Sequence, residues 1–404
     1  MKIGVIGTGQ FAGSFIRLWQ LHPDVTSIVV TDVLPERAED HVRRFDLAGS
    51  VPSTEELLAS DVDAVAVMTQ RWTHGSIVIE ALKAGKHVYS AVPMATSADE
   101  IAEIIKLVEQ TGLIYMMGET SYYNPAVVWA RDKIAAGEFG RVFYAEGDYV
   151  HDMDNGFYAA YQFSGGENWK STASYPPMLY PTHAVGGVLG AWSTHATSVS
   201  CIGIVDDRGD GVFDREVSMF DNDFSNMSAL FHLADGGVMR TNEFRRVGHP
   251  AKVHESRFRF YGTDGVMEQT STGAAWSDRK HIEDISDLFY TREYQAAHNV
   301  EDLSGLDPEL LHSFTSGMAK VHDRSRLPKE FEGAPNGHEG SHHFLADDFV
   351  RAVTRKTQPP INAWVAARFT LPGITAFASA RQDGARLEIP DHGPGPEVDP
   401  AAFR

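Results

Sequence analysis

The sequence predicts two folds in tandem: an α/β Rossmann domain, then an α+β domain with an open antiparallel sheet. Three observations carry this. Up to about residue 120, short apolar runs alternate with helical patterns, as in a parallel sheet wrapped by helices. A Gly-x-Gly-x-x-Ala turn, Gly7-Thr8-Gly9-Gln10-Phe11-Ala12, stands between the first run and its helix. Beyond about residue 125 the apolar pattern changes to strict alternation, broken by hairpin-type turns such as Asp235-Gly236-Gly237 and Thr263-Asp264-Gly265.

In chain order, strands are predicted over residues 2–6, 27–31, 64–68, 87–89 and 113–117, with helices over 11–20, 35–45, 74–84 and 98–110. Ser53-Thr54 ahead of Glu55-Glu56, and Thr96-Ser97 ahead of Asp99-Glu100, are helix-start signals. A helix over 126–135 ends at Gly137. Period-two runs then cover 142–150, 228–233, 238–244 and 253–261. Two stretches rich in Gly, Ser and Pro, 164–181 and 303–340, read as long irregular functional loops. Helices over 341–354 and 362–380 close the chain, ahead of Leu387-Glu388-Ile389-Pro390. The expected division is a dinucleotide-binding domain at 1–124 and a substrate-binding and oligomerisation domain at 125–404, whose last helices can pack back on the first domain.

With 404 residues, 43% hydrophobic and 22% charged, the chain is long enough for two substantial cores. A net charge of −20 argues against nucleic acid, which needs a basic face. Cys201 is the single cysteine, which excludes an intrachain disulfide and suits a reducing compartment. No apolar run is long enough to span a bilayer, and the first residues pass straight into a strand without a signal-peptide pattern. The expectation is a cytoplasmic protein with no membrane partner. An exposed sheet face would make it a homo-oligomer, a dimer or tetramer.

Gly7, Thr8, Gly9, Gln10 and Phe11 would let a pyrophosphate approach the helix N-terminus. Asp32, at the end of the second strand, would accept hydrogen bonds from an adenosine ribose and repel a 2′-phosphate, which selects NAD over NADP. In residues 69–93 the chain reads Thr-Gln-Arg-Trp-Thr-His, then Ala-Gly-Lys-His-Val-Tyr-Ser-Ala-Val-Pro. Together with the glycine turn, this resembles the Gfo/Idh/MocA sugar oxidoreductases. The resemblance places Thr69, Trp72, His74, Val92 and Pro93 along the cofactor. In that family the segment usually ends Glu-Lys-Pro and its lysine serves hydride chemistry. Here those positions are Ala91-Val92-Pro93.

The turn Met-Gly-Glu-Thr-Ser-Tyr-Tyr-Asn-Pro brings in Glu119, a candidate for both cofactor and catalysis, and Tyr122, a candidate for catalysis and substrate. Leu179-Tyr180-Pro181-Thr182-His183, the Glu119–Tyr122 turn, the missing lysine and His151-Asp152 together resemble the NAD-dependent α-N-acetylgalactosaminidase branch. That resemblance implies oxidation at sugar carbon 3 by NAD, loss of the carbon-2 proton, elimination of the aglycone, addition of water and re-reduction. His183 and Tyr180 are its candidate proton carriers, since histidine titrates near neutrality and tyrosine can relay a proton. Lys170 stands where the branch typically has arginine, so the sugar need not be N-acetylgalactosamine.

Lys170, Arg71, Arg240, Arg245, Arg246 and His249 suggest a cationic pocket for an anionic sugar such as a sulfoquinovoside, and Trp169 is a further substrate-binding candidate. Strand alternation sets Arg240, Asn242 and Arg246 on one face and Arg245 on the other; a subunit-interface role is the alternative. His338 and His342 are expected near the sugar. His343 with Asp347 shares a helix face, but no metal is expected. Two other functions stay open: an NAD-dependent sugar or polyol dehydrogenase, and a non-catalytic NAD-binding sensor.

Overall fold

The computed structural model describes residues 1–248, 255–289 and 318–403. Two compact units emerge. The first joins Met1–Pro125, Asp287–Ala367 and His392–Arg404; the second joins Ala126–Ser286 and Arg368–Asp391.

In the first unit β1 (Lys2–Ile6), β2 (Ser27–Thr31), β3 (Gly49–Ser50), β4 (Ala64–Val67), β5 (His87–Ser90) and β6 (Tyr115–Met117) form one parallel sheet in the order β3-β2-β1-β4-β5-β6. The two-residue β3 carries no readable pattern, which is why the sequence did not reveal it. The connecting helices are α1 (Gln10–Leu21), α2 (Pro35–Phe45), α3 (Thr54–Ala59), α4 (His74–Lys83) and α5 (Ala98–Thr111). The expected caps form: Ser53 Oγ accepts the Glu56 amide at 3.1 Å and Ser97 Oγ accepts the Glu100 amide at 3.2 Å.

The late helix α11 (Ser341–Arg355) belongs to this first unit. Phe349 packs against Tyr89 and Trp19, with ring centroids 5.6 and 6.4 Å apart. Beside this seam, Asp347 holds His22 at 3.2 Å, Arg326 at 2.9 Å and Arg351 at 2.6 Å. The His343–Asp347 pair that invited a metal reading is therefore split: Asp347 anchors an ion network, and His343 Nε2 donates to Pro335 O at 3.1 Å.

The second unit is built on β7 (Val142–Val150), β8 (Ala196–Val205), β9 (Phe224–Leu233), β10 (Val238–Phe244), β11 (Ser256–Gly262), β12 (Gly265–Gln269), β13 (Ala274–Asp278), β14 (Ile282–Asp284) and β15 (Leu387–Glu388). Their order is β14-β13-β12-β11-β7-β10-β9-β8-β15. The sheet is mixed rather than wholly antiparallel, because β7 and β10 at its centre run parallel. α6 (Pro125–Ala135) leads into it. The stretch expected as loop over 164–181 instead contains the end of α7 (Tyr158–Gly165), α8 (Trp169–Ala173) and a 3-10 turn, Pro177–Leu179.

α9 (Thr182–Ala191) lies close on one face of the sheet because glycines meet it there. A Cβ on Gly147 of β7 would sit 2.4 Å from Ala184 O, and one on Gly187 of α9 would sit 2.2 Å from the Phe258 ring. Gly373 of α12 (Ala363–Ala380) allows the same approach to Met178 and Pro181 just ahead of α9. These contacts fix the start of α9, where Tyr180 and His183 stand. His249 and the first residues of the expected strand 253–261 lie outside the described residues, as does the loop 303–340 before residue 318.

Candidate functional site

In the first unit the glycine turn has the shape its sequence implies. Gly7 has φ +92°, and a Cβ there would meet Met68 O at 2.8 Å, so only glycine fits. Above Gly9 the space is open, and α1 starts there without a side-chain cap. An uncapped first turn beside open space fits a pyrophosphate. Asp32 clamps this turn: its Oδ2 accepts Thr8 N at 2.7 Å and Thr8 Oγ1 at 2.9 Å, and its Oδ1 accepts Leu34 N at 2.9 Å.

His74 is buried and bridges two strand ends. Nδ1 faces Pro93 O at 2.8 Å and Nε2 faces Thr69 O at 3.1 Å. Burial lowers its pKa, so the ring is held neutral and one nitrogen donates. This is a positioning role, tying the residue after Val92 to the end of β4. Thr69 Oγ1 pairs with Thr73 Oγ1 at 2.8 Å within the short turn that carries Arg71 and Trp72. Val92 is buried where the family's lysine usually stands.

Glu119 is fully buried and its Oε1 accepts Ser121 N at 2.6 Å, which shapes the turn bearing Tyr122 and Tyr123. His322 donates from Nε2 to Tyr123 O at 2.7 Å while its Nδ1 accepts Ala319 N at 3.2 Å. The Tyr123 hydroxyl bonds to Asp348, which pairs with Arg326 at 2.7 Å. Thus α11 braces the Glu119–Tyr123 turn.

His338 and His342 stand in this first unit, not in the second. His338 Nδ1 and His342 Nε2 are 2.8 Å apart, and the rings of both pack on Phe11, at 5.9 and 5.5 Å between centroids. These contacts set both rings beside the helix that follows the glycine turn.

The second unit gathers Tyr180, His183 and His151, and adds Tyr149, which the sequence reading did not single out. His183 Nε2 lies 3.1 Å from the Tyr180 hydroxyl. The His183 ring is 4.6 Å from that of Tyr149, whose hydroxyl is 2.9 Å from His151 Nδ1. His151 Nε2 lies 2.8 Å from Asn155 O, an acceptor only. Hence Nε2 carries the proton in the neutral ring, and Nδ1 accepts from Tyr149. Glu255 Oε1 stands 3.4 Å from the same Nδ1. Two histidines and two phenols in contact form a chain along which a proton can pass. Alternation along 142–150 was the available signal for Tyr149, which stands two residues before His151 on the same strand face.

The cations divide differently from the expectation. Arg246 is held by Asp206 at 3.0 Å and Asp210 at 2.9 Å, beside Tyr158. Lys170 Nζ donates to Asp210 O at 2.6 Å, and Trp169 meets Tyr158 edge-on at 5.7 Å. Arg240 pairs with Glu146 at 2.9 Å on the central strands. Arg245, set apart by alternation, is the one at the tyrosine–histidine cluster: its guanidinium lies 4.8 Å from the Tyr149 ring centre.

Residues 1–119 match the family described as the oxidoreductase family with an NAD-binding Rossmann fold, Gfo/Idh/MocA. The chain therefore carries an NAD-binding Rossmann domain of the Gfo/Idh/MocA type over these residues. Its cofactor is NAD. Over 97% of its length the chain is 24% identical to a protein of Streptomyces niveus named glycosyl hydrolase family 109 protein, covering 77% of that relative. It is 26% identical to one of the same name from Solibacter usitatus, covering 97% of this chain and 88% of the relative. A solved structure of levoglucosan dehydrogenase with NADH and levoglucosan shares the fold, with TM-score 0.71 and 15% identity over 97% of this chain and all of that one. No helix among the described residues is long and apolar enough to cross a membrane.

Proposed function

We propose that the protein is an NAD-dependent glycoside hydrolase. The observation that carries this is the Tyr180–His183–Tyr149–His151 cluster, together with an apolar Val92 in place of the dehydrogenase lysine. The glycosidase names of relatives matched along nearly the whole chain support the same reading.

Bound NAD supplies reversible hydride acceptance from sugar carbon 3. Gly7, Thr8, Gly9, Gln10, Phe11 and Asp32 hold it, with Thr69, Trp72, His74, Val92, Pro93 and Glu119 along the strand ends. The carbon-3 ketone acidifies the hydrogen on carbon 2. A base of the His183–Tyr180 pair takes that proton, the carbon-1 to oxygen bond breaks, and the aglycone leaves with a proton. Water adds its oxygen to carbon 1 of the enone, and carbon 2 regains a proton from the same pair. His151 and Trp169 are further proposed substrate contacts in the second unit.

The substrate proposed is a pyranoside, with an anionic sugar such as a sulfoquinovoside as the finer proposal; Arg240 and Arg246 are each paired with carboxylates, so an anionic substituent would displace one of those pairs or meet another cation. We assign activity to the cytoplasm and to a homo-oligomer formed through the second unit. The test is a panel of chromogenic glycosides with and without added NAD. Aglycone release that depends on NAD, with no accumulation of NADH, supports the proposal. One NADH per sugar consumed would make the chain a dehydrogenase, and NAD binding without turnover would make it a sensor.

A further inference from the structure

We propose that Arg245 is a charge-setting and positioning residue of the candidate site, one that favours the phenolate of Tyr149. The inference rests on the proposed use of this cluster for proton transfer. It adds a residue that alternation had set apart from the pocket.

Arg245 follows β10, where the parallel pairing sets Glu243 opposite Tyr149 and Phe244 opposite Val150. Its amide is fastened to Asn226 Oδ1 at 2.8 Å. Its guanidinium is buried. Nη1 donates to Phe244 O at 3.1 Å and Nη2 to Glu243 Oε2 at 2.9 Å, and the group lies over the rings of Tyr149 at 4.8 Å and Phe157 at 5.7 Å. A buried cation over a phenol stabilises the ring modestly and the phenolate much more, because full charges attract strongly where water is excluded.

The proton has a place to go. The O–H bond of Tyr149 breaks and an N–H bond forms at His151 Nδ1, 2.9 Å away. The resulting imidazolium keeps its Nε2–H on Asn155 O and gains Glu255 at 3.4 Å. No oxidant or co-reactant is involved. Among the described residues, the ionisable groups around Tyr149 include His151, His183, Tyr180 and Arg245, with Glu255 on His151 and Glu243 on Arg245. Glu243 opposes Arg245: its negative charge disfavours a phenolate, so the two residues should act with opposite sign.

The test is ultraviolet difference titration of the tyrosinate band, with Tyr149 isolated by subtracting a Tyr149→Phe version of each protein. It needs no glycoside, so it stands or falls apart from the hydrolase reading. In Arg245→Met the ionisation constant of Tyr149 should fall about tenfold or more, in Arg245→Lys by less, and in Glu243→Gln it should rise. Near-ultraviolet circular dichroism and thermal unfolding of each variant report folding. Should Arg245→Met leave an unpaired buried carboxylate that prevents folding, Arg245→Met/Glu243→Gln removes both charges together; there the constant should lie between those of the two single variants. Tyr149 ionising at the same pH with and without Arg245, or the Arg245→Met and Glu243→Gln shifts sharing a sign, would overturn the proposal.

Discussion

We propose that Asp32, seen to clamp the glycine turn, also repels a 2′-phosphate, and mutation can pull the two apart. Its carboxylate accepts three hydrogen bonds, from Thr8 N at 2.7 Å, Thr8 Oγ1 at 2.9 Å and Leu34 N at 2.9 Å. Bonds to a charged acceptor each contribute about 1.5–3 kcal/mol when buried; this half-buried group lets water replace part of that, leaving about 1 kcal/mol each. Asp32→Ala should therefore cost about 2–3 kcal/mol of stability in urea unfolding. Thr8→Val removes only the hydroxyl bond and should cost about 1 kcal/mol. Both loosen the glycine turn and weaken NAD. Only Asp32→Ala removes the negative charge that repels a 2′-phosphate, so it alone should shift the NAD-to-NADP affinity ratio toward NADP. Isothermal titration with both dinucleotides gives the answer. A ratio unmoved by Asp32→Ala, or moved equally by Thr8→Val, would show that Asp32 is a clamp and nothing more.

Gly7→Ala should cost about 2–4 kcal/mol and abolish NAD binding, since its Cβ would lie 2.8 Å from Met68 O at φ +92°; thermal unfolding with and without NAD checks this. Val92→Lys should not raise glycosidase turnover, because an ammonium there would oppose the positive nicotinamide ring; a large gain measured on chromogenic glycosides would contradict the use of the second unit's cluster. Burial depresses His322 to about 4 and His342 to about 3. The unfolded chain binds their protons near pH 6.5 while the fold does not, so stability should be lost as pH falls from about 6.5 toward 4, at about 1.4 kcal/mol per pH unit per histidine; His322→Gln should flatten the slope in urea unfolding. The apolar Ile202, Ile204 and Leu230 stand about half exposed on the second unit's sheet; Leu230→Glu should reduce the assembled mass seen by light scattering, if that face joins copies of the chain.

What was legible in the sequence was local. The glycine turn, Asp32 at a strand end, and the caps at Ser53 and Ser97 each depend on neighbours within a few residues, and the structure shows each in its expected conformation. Tyr180 and His183 are three residues apart, so their contact follows from the turn into α9. Distant pairings were not legible. His22 meets Asp347 across 325 positions, and this seam of Trp19, Tyr89 and Phe349 draws residues 287–367 into the first unit. It also carries His338 and His342 to Phe11, which no pattern within their own segment foretells. Alternation did separate Arg245 from Arg240: Arg245 shares the face of Glu243 and Tyr149, while Arg240 meets Glu146 on the other. What alternation could not say is which of the two faces carries the tyrosine–histidine cluster. Paired acids, Asp206 and Asp210 for Arg246 and Glu146 for Arg240, likewise come from other strands and loops, so a count of arginines overstated the free positive charge.

The central claim is that hydrolysis passes through a transient ketone. It is tested most directly by running the reaction on an accepted glycoside in deuterated water, with the product read by proton NMR and the cofactor at 340 nm. The account predicts solvent deuterium at carbon 2 of the released sugar, no net NADH, and loss of turnover in His183→Ala with NAD still bound. Product with its original carbon-2 hydrogen, or NADH rising in step with substrate consumed, would contradict it.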